Sequence, residues 1–210
     1  MTLSSDADAL RSETDACIAA LRSCRLCAEK FRATASAHEP RPVAWFAPEA
    51  RVLIAGQAPG VRVHRSGRPF TDPSGDRLRD WLAVDAATFY DRRRIAIVPM
   101  AFCFPGHDAR GGDLPPPKLC ARTWRARVMA LLPNLRMVLA VGAAAQGWHI
   151  GPGSVTGRVA NWRSPAARGI WPLPHPSWRN SGWLARNPWF EAELLPELRR
   201  SFHDALEADP

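Results

Sequence analysis

Four short apolar runs constrain the fold of this chain more than any other feature of its sequence. They cover residues 52–55, 95–98, 137–141 and 170–173. Each of the first three is followed by a turn and then by a stretch with helical spacing. Strands that alternate with helices form a parallel sheet covered on both faces. The sequence therefore predicts an α/β fold, a single-domain three-layer α/β/α sandwich around a central four-stranded parallel sheet.

The predicted helices are marked by apolar spacing and by capping residues. Ser74 can cap a helix that runs to Leu82, because its hydroxyl accepts hydrogen bonds from the free amides at the helix start. Asp76 then lies in the first turn, where a carboxylate interacts favourably with the helix dipole. The other predicted helices cover residues 7–21, 118–132, 143–148 and 190–206. We expect one domain over residues 13–206, after a partly disordered segment over residues 1–12.

The charge of the chain favours a polyanionic partner. Its 28 Lys and Arg residues against 20 Asp and Glu residues give a formal net charge of +8, and nearly all the cations are arginines. Arginine is suited to bidentate phosphate contacts, although an arginine bias also arises from GC-rich coding sequence. No apolar run is long enough for a transmembrane helix, and the polar N-terminus lacks a signal-peptide pattern. We expect a cytoplasmic protein.

Four of the five cysteines are spaced as metal ligands. Cys24 and Cys27 form a C-x2-C pair, Cys103 follows the second predicted strand, and Cys120 comes after sixteen further residues. Four thiolates suit either tetrahedral zinc or an iron–sulfur cluster, and spacing alone does not decide between them. Alternatively, Cys103 and Cys120 are small buried core residues. Cys17 lies on the apolar stripe of the first predicted helix and is expected in the core.

The carboxyl ends of the predicted strands carry the candidate functional motifs. Ligand sites of parallel α/β folds gather at these ends. The motifs found there are Gly56-Gln57-Ala58-Pro59-Gly60, residues 99–103, Gly142 and His175-Pro176-Ser177.

The cysteine spacing and the order of the motifs resemble the family-four uracil-DNA glycosylases. The other landmarks of that superfamily are Gly67-Arg68-Pro69-Phe70, then Ser74-Gly75 before a helix, and Arg186-Asn187-Pro188 after the histidine motif. The resemblance covers roughly residues 14–203. It implies a monomeric DNA glycosylase without a membrane partner that flips uracil or another deaminated base out of DNA and hydrolyses the N-glycosidic bond. It also implies that Cys24, Cys27, Cys103 and Cys120 hold a structural [4Fe–4S] cluster, which is favoured over zinc.

The resemblance assigns base-binding roles to three segments. The turn with Gly56, Ala58, Pro59 and Gly60 would bind the base and a water molecule through its backbone; the alternatives are a phosphate loop, which lacks its Gly-Lys-Ser/Thr, or a plain strand–helix turn. The extruded base would stack on Phe70, although a single Phe after Pro is often a core residue. Pro99 would lie against the edge of the base.

His175 is the principal catalytic residue that the resemblance implies. It would donate a hydrogen bond to the base as negative charge develops on it. The segment Ser177-Trp178-Arg179-Asn180 would enter the minor groove, with Trp178 as a wedge or, alternatively, as a core residue. Arg158 lies in the stretch 153–162, which is predicted as a loop between strands, and would contact the DNA backbone.

The sequence departs from the family-four pattern at three positions. Gln57 stands where that family has Glu, and Ala58 stands where the family-one enzymes have their catalytic Asp. The family-five enzymes carry a catalytic-type Asp shortly after the corresponding Phe, and the resemblance to them implies that Asp72 is the catalytic carboxylate, beside His175 and Gln57. Pro99 replaces an Asn that reads the uracil edge, so hypoxanthine and xanthine become alternative substrates.

Three further interpretations remain open. His107, in the loop between the last two cysteines, could trap the sugar covalently, although a basic motif that accompanies such a histidine is absent. A catalytically silent nucleic-acid-binding module with an iron–sulfur cluster is the alternative to an enzyme. A four-cysteine zinc protein unrelated to repair is the third.

Overall fold

The computed structural model describes residues 2–207, with the side chains of residues 2–5 left aside. Met1 and residues 208–210 lie outside the described residues. Four strands form one sheet: β1 (Val52–Ala55), β2 (Ile95–Ile97), β3 (Met137–Val141) and β4 (Ile170–Leu173). Eleven α-helices are described, namely α1 (Thr2–Arg22), α2 (Ala28–Arg32), α3 (Val61–Ser66), α4 (Pro73–Leu82), α5 (Ala86–Phe89), α6 (Lys118–Ala130), α7 (Gly142–His149), α8 (Val155–Ala160), α9 (Arg163–Ala166), α10 (Ser181–Arg186) and α11 (Leu195–Glu207). A 3₁₀ turn at Trp178–Asn180 precedes α10, and a π-helical segment at Phe190–Leu194 leads into α11.

The sheet is parallel throughout, with the strand order β2-β1-β3-β4. The predicted four-stranded parallel sheet and the α/β fold class are thereby confirmed. The chain adds β2 on one side of β1 and then adds β3 and β4 on the other side. The strand order therefore reverses at β1. Loops that leave adjacent strands toward opposite faces at such a point open a crevice at the carboxyl edge of the sheet.

Alternating side chains of the strands form two separate apolar cores. One face of the sheet is formed by alternate strand residues, among them Val52 and Ile54. These side chains pack against α4 and α11 through residues such as Leu78 and Phe202. Leu53 and Ala55 face the opposite side and pack against α1, α6 and α7. Cys17 is fully buried in this second core, as predicted. Both faces of the sheet are covered, which explains why the strands read as continuous apolar runs.

Most of the predicted helices are present with slightly different ends. Residues 2–12, expected as a partly disordered segment, are the first turns of α1, which is longer than the predicted helix over 7–21. The last predicted helix is divided into the π-helical segment and α11. Asp76 lies in the first turn of α4, as predicted.

Within residues 2–207, no helix combines the length and the apolar character needed to cross a membrane.

Candidate active site

A cleft with a volume of about 540 Å³ opens at the carboxyl edge of the sheet. This size is in the range of small-ligand sites and can accommodate a nucleobase with part of its sugar. The loop after β1 forms one wall, the end of β2 the floor, and the segments after β4 and before α4 the remaining walls. The predicted site residues that line it are Gly56, Gln57, Ala58, Pro59, Gly60, Phe70, Asp72, Pro99, His175, Ser177, Trp178 and Arg179.

His175 is fixed in one orientation and one tautomer by the backbone that follows it. The amide of Ser177 donates a hydrogen bond of 3.2 Å to its Nδ1, so that in the neutral ring the proton is carried on Nε2. The side-chain amide of Asn180 donates to the His175 carbonyl at 2.7 Å. Gly142 lies under the ring, where a Cβ atom would come within 3.8 Å of the His175 side chain. Nε2 is therefore available as a donor.

The electrostatic surroundings keep His175 neutral. Burial lowers its pKa below the usual value, and the nearby carboxylates of Asp72 and Asp113 oppose this effect only in part. A neutral imidazole with its proton on Nε2 is suited to donate a hydrogen bond to an oxygen or nitrogen that gains negative charge.

Phe70 is held in an unusual backbone conformation at the wall of the cleft. Its φ of 53° lies in the left-handed region, which residues with side chains seldom adopt. The hydroxyl of Tyr90 donates to the Phe70 carbonyl at 2.8 Å, and the ring meets Phe89 edge to face. Gly75 passes so close that a Cβ atom there would lie 1.9 Å from the Phe70 carbonyl oxygen. These contacts hold the partly buried ring between the cleft, which it lines, and the adjacent apolar core.

Asp72 lines the cleft but is also the N-cap of α4. Its Oδ1 accepts hydrogen bonds from the Ser74 amide at 3.2 Å, the Ser74 hydroxyl at 2.5 Å and the Gly75 amide at 3.3 Å. The predicted helix start is therefore confirmed, but the cap is Asp72 rather than Ser74. One carboxylate oxygen of Asp72 is committed to the helix end.

The segment after His175 forms an exposed rim. Trp178 is 74% exposed, which rules out the core-packing interpretation. The guanidinium of Arg179 lies 5.9 Å from the centre of the Trp178 ring. Arg77 of α4 donates to the Ser177 carbonyl at 3.0 Å and anchors this segment. Sequence reasoning missed Arg77, because only the tertiary fold brings it to Ser177.

Three candidate residues lie outside the lining of the cleft. Arg158 belongs to helix α8 rather than to a loop and lies along Gly147 and Gly153 instead of lining the cleft. Asn180 contacts the His175 backbone and not the cleft. His107 also lies outside the cleft lining, packed edge to face on Phe104.

A buried arginine supports the floor of the cleft. Arg125 of α6 is only 1% exposed and donates to the carbonyls of Val98 at 3.0 Å and Pro99 at 3.5 Å. Its guanidinium also contacts Nε2 of His149. Burial lowers the pKa of Arg125 to about 10. This residue fixes the end of β2, and nothing in the sequence distinguishes it from the other arginines.

Asp113 is a second carboxylate of the cleft that the sequence did not reveal as a site residue. It ends the loop between Cys103 and Cys120, and its side chain is 48% exposed. The only sequence signal for Asp113 was its place in that loop, in which His107 was the candidate residue.

The four predicted ligands come together on the other side of this loop. Cys24, Cys27, Cys103 and Cys120 all line one apolar pocket. Burial raises the pKa of Cys103 to about 12 and that of Cys120 to about 11, with the neighbouring thiols adding to the effect. The Phe102 amide donates to the Cys120 sulfur at 3.4 Å.

The donor set fits a group bound by thiolates. Buried thiols with such raised pKa values become thiolates only when a cation compensates their charge, and a thiolate sulfur in an iron–sulfur centre is commonly hydrogen-bonded by backbone amides. As the side chains stand, no three His, Cys, Asp or Glu residues among the described part of the chain are grouped to hold a single metal ion.

The fold and the cleft define an α/β/α sandwich protein with a base-sized site at the point where strand order reverses. A family model described as the uracil DNA glycosylase superfamily matches residues 43–199, about three quarters of the chain. The chain belongs to the uracil-DNA glycosylase superfamily, whose members are in general DNA glycosylases. The matched region includes Cys103 and Cys120 but begins after Cys24 and Cys27.

Proposed function

We propose that this protein is a monofunctional DNA glycosylase that flips a deaminated base into the cleft and hydrolyses its N-glycosidic bond, leaving an abasic site. The observation that carries the proposal is the orientation of His175, whose Nε2 is the free donor at a base-sized cleft. The membership of the superfamily supports the same activity. We further propose that the protein acts as a monomer in the cytoplasm.

The extruded base would stack on Phe70 and lie against the loop Gly56–Gly60. Stacking on an aromatic face contributes roughly 1–3 kcal/mol per base and does not depend on which base is bound. The backbone of this loop and the side-chain amide of Gln57 would supply hydrogen bonds to the base or to the attacking water. Fixed positions of these groups lower the barrier by orienting the reactants.

The glycosidic bond breaks toward a base anion and a sugar with oxocarbenium character. His175 would donate its Nε2 proton in a hydrogen bond to the base as that charge develops. A donor that is already fixed in place stabilises this charge more in the transition state than in the bound substrate. Carboxylates of the cleft, Asp72 among them, would face the positive sugar and the water.

The rim would hold the DNA open. Trp178 is exposed beside the cleft and is placed to fill the gap left by the flipped base, while Arg179 would contact a phosphate. The excess of arginines over the whole chain favours binding to the DNA backbone.

The base preference follows from the floor of the cleft. Pro99 offers no side-chain hydrogen bond to the edge of the base, and the loss of such a contact weakens discrimination. Hypoxanthine and xanthine are therefore substrates to be tested beside uracil.

We also propose that Cys24, Cys27, Cys103 and Cys120 hold a [4Fe–4S] cluster. When bound, the cluster would join the segment after α1 to the start of α6 and to the segment after β2, and so stabilise the loop that borders the cleft. The test is the iron and acid-labile sulfide content of protein purified without oxygen, together with its visible absorbance. Cys120→Ser should lose iron while Cys17→Ser, a fully buried cysteine outside the group, retains it. Stoichiometric zinc without iron would contradict the cluster.

The activity is tested on single- and double-stranded oligonucleotides that each carry one uracil, hypoxanthine or xanthine. Alkali-induced strand cleavage at the modified position of at least one substrate is expected. Binding without cleavage on the whole panel would instead support a catalytically silent nucleic-acid-binding module. That interpretation is favoured by Gln57 and Pro99, which stand where family four has Glu and Asn.

A further inference from the structure

The loop between Cys103 and Cys120 is a well-defined turn that carries Asp113 to the cleft. Its two arms pair through an antiparallel bridge between His107 and Asp113. At the tip, Oδ1 of Asp108 accepts from the amides of Arg110 at 2.8 Å and Gly112 at 2.9 Å. The Leu114 amide donates to the Gly106 carbonyl at 2.9 Å and closes the base of the turn. The position of Asp113 is therefore set by backbone pairing.

The two carboxylate oxygens of Asp113 face different partners. Oδ1 lies 3.3 Å from Nδ1 of His107, an ion-pair distance, although the two atoms are not aligned as a hydrogen bond. Oδ2 lies 4.0 Å from the point where a Cβ atom would stand on Gly60. This oxygen therefore lies beside the loop Gly56–Gly60.

The other candidate carboxylate is less available. Oδ1 of Asp72 is occupied by three donors at the start of α4, whereas Asp113 makes no cap. The loop after β1 itself carries no carboxylate, since it has Gln57 and Ala58. Asp113 also lies close enough to His175 for its negative charge to raise the pKa of the imidazole. The cleft thus has a carboxylate from the cysteine loop where the loop after β1 lacks one.

We propose that Asp113 is the carboxylate that accepts the proton of the attacking water; this inference rests on the proposed glycosylase function. The bond between the sugar C1′ and the base nitrogen breaks, and its electron pair leaves with the base. The water oxygen forms the new bond to C1′, and its proton passes to Oδ2 of Asp113. The base anion, bound at His175, takes up a proton from solvent on release, and Asp113 returns its proton to solvent, so that the net reaction is hydrolysis by one water.

His107 acts as a positioning residue in this scheme. Its Nδ1 faces Oδ1 of Asp113, and its backbone amide donates to the hydroxyl of Ser36 at 3.2 Å. The ring also packs on Phe104 at a centroid distance of 4.9 Å. These contacts hold the imidazole in place, so that the second oxygen of Asp113 is turned toward the cleft.

The proposal is tested by single-turnover excision at saturating enzyme, on the best substrate of the base panel. Asp113→Asn keeps the size of the side chain and should lower the rate by about 100-fold, while the Kd for the same DNA changes little. Asp72→Asn should cost less than Asp113→Asn, and Asp15→Asn on the exposed face of α1 controls for the change in charge. Asp113→Glu keeps a carboxylate and should retain more activity than Asp113→Asn.

If Asp113→Asn keeps a rate within about tenfold of the wild type, Asp113 is not the general base, because removing a general base is expected to cost more than that. A wild-type protein that excises none of the bases would overturn the proposed function, and the catalytic role of Asp113 with it. The location of Asp113 is tested apart from activity by NMR titration of His175. Asp113→Asn should lower the pKa of His175, and an unchanged pKa would place Asp113 away from the site.

Discussion

Phe70 stands in a left-handed backbone conformation that only its neighbours make tolerable. A non-glycine residue in this region stores of order 1–3 kcal/mol, and such residues cluster at functional sites. In this conformation the ring of Phe70 lines the cleft, while its carbonyl points at α4 and accepts a hydrogen bond from the Tyr90 hydroxyl. Gly75 provides the space for that carbonyl.

Gly75→Ala should therefore destabilise the protein and impair base binding together. The new Cβ would meet the Phe70 carbonyl at 1.9 Å, a backbone clash that forces a shift and costs about 1–3 kcal/mol or more. Gly147→Ala is the matched control, since it also lies within a helix but has space around it and should stabilise by roughly 0.5–1 kcal/mol. Urea denaturation measures both. Equal effects of the two substitutions would argue against this role of Gly75.

Among the secondary-structure elements, α6 connects the two halves of the site. Its first turn carries the proposed cluster ligand Cys120, and further along the helix Arg125 donates to the carbonyls at the end of β2. His149, the last residue of α7, completes the contact. A single buried guanidinium thus holds α6, α7 and β2 in register.

This contact predicts a loss of stability in mild acid. Burial and the adjacent Arg125 lower the pKa of His149 to about 4. In the unfolded chain a histidine takes up a proton near pH 6.5, so the unfolded state binds protons first as the pH falls. The stability that is present above pH 6.5 is lost progressively toward pH 4, by up to about 3 kcal/mol. Denaturation of wild type and His149→Gln at pH 7.5 and pH 5 measures this, and the variant should lose less. An equal loss in both proteins would assign the acid sensitivity to other groups.

At the scale of the whole molecule, the sequence predicted the sheet, its parallel direction and the edge at which the site lies. These depend on local patterns: buried runs of apolar residues and turns at strand ends. His175 and Phe70 were assigned from the resemblance to the glycosylases, and for His175 the position after a predicted strand supported the assignment. Asp113, Arg77 and Arg125 could not be found in this way, because each acts through a contact with a residue distant in the chain.

Arg158 was misplaced for a local reason. The side chain of Ser154 accepts a hydrogen bond from the Gly157 amide and starts helix α8, which carries Arg158 along its own surface. The stretch 153–162 was predicted as a loop between strands, although Ser154, three residues before Gly157, is a helix-start signal.

The net charge of +8 should make DNA binding strongly dependent on salt. If Arg179 contacts a phosphate, Arg179→Gln should weaken binding at low salt and reduce the slope of log K against log salt by about 1. Arg200→Gln, on α11 and paired with Glu197, removes the same charge far from the cleft and should leave the slope closer to that of the wild type. Fluorescence anisotropy over a salt series measures both slopes. An unchanged slope for Arg179→Gln would exclude the phosphate contact.

We propose that the free Nε2 of His175 drives excision of a base bound in this cleft. The most direct test is single-turnover excision by wild type and His175→Ala, with His203→Ala as the control and DNA affinity measured in parallel. We expect His175→Ala to lose about 100-fold or more in rate while binding DNA nearly as well as the wild type. A His175→Ala protein that excises the base at the full wild-type rate would rule out this catalytic role of His175.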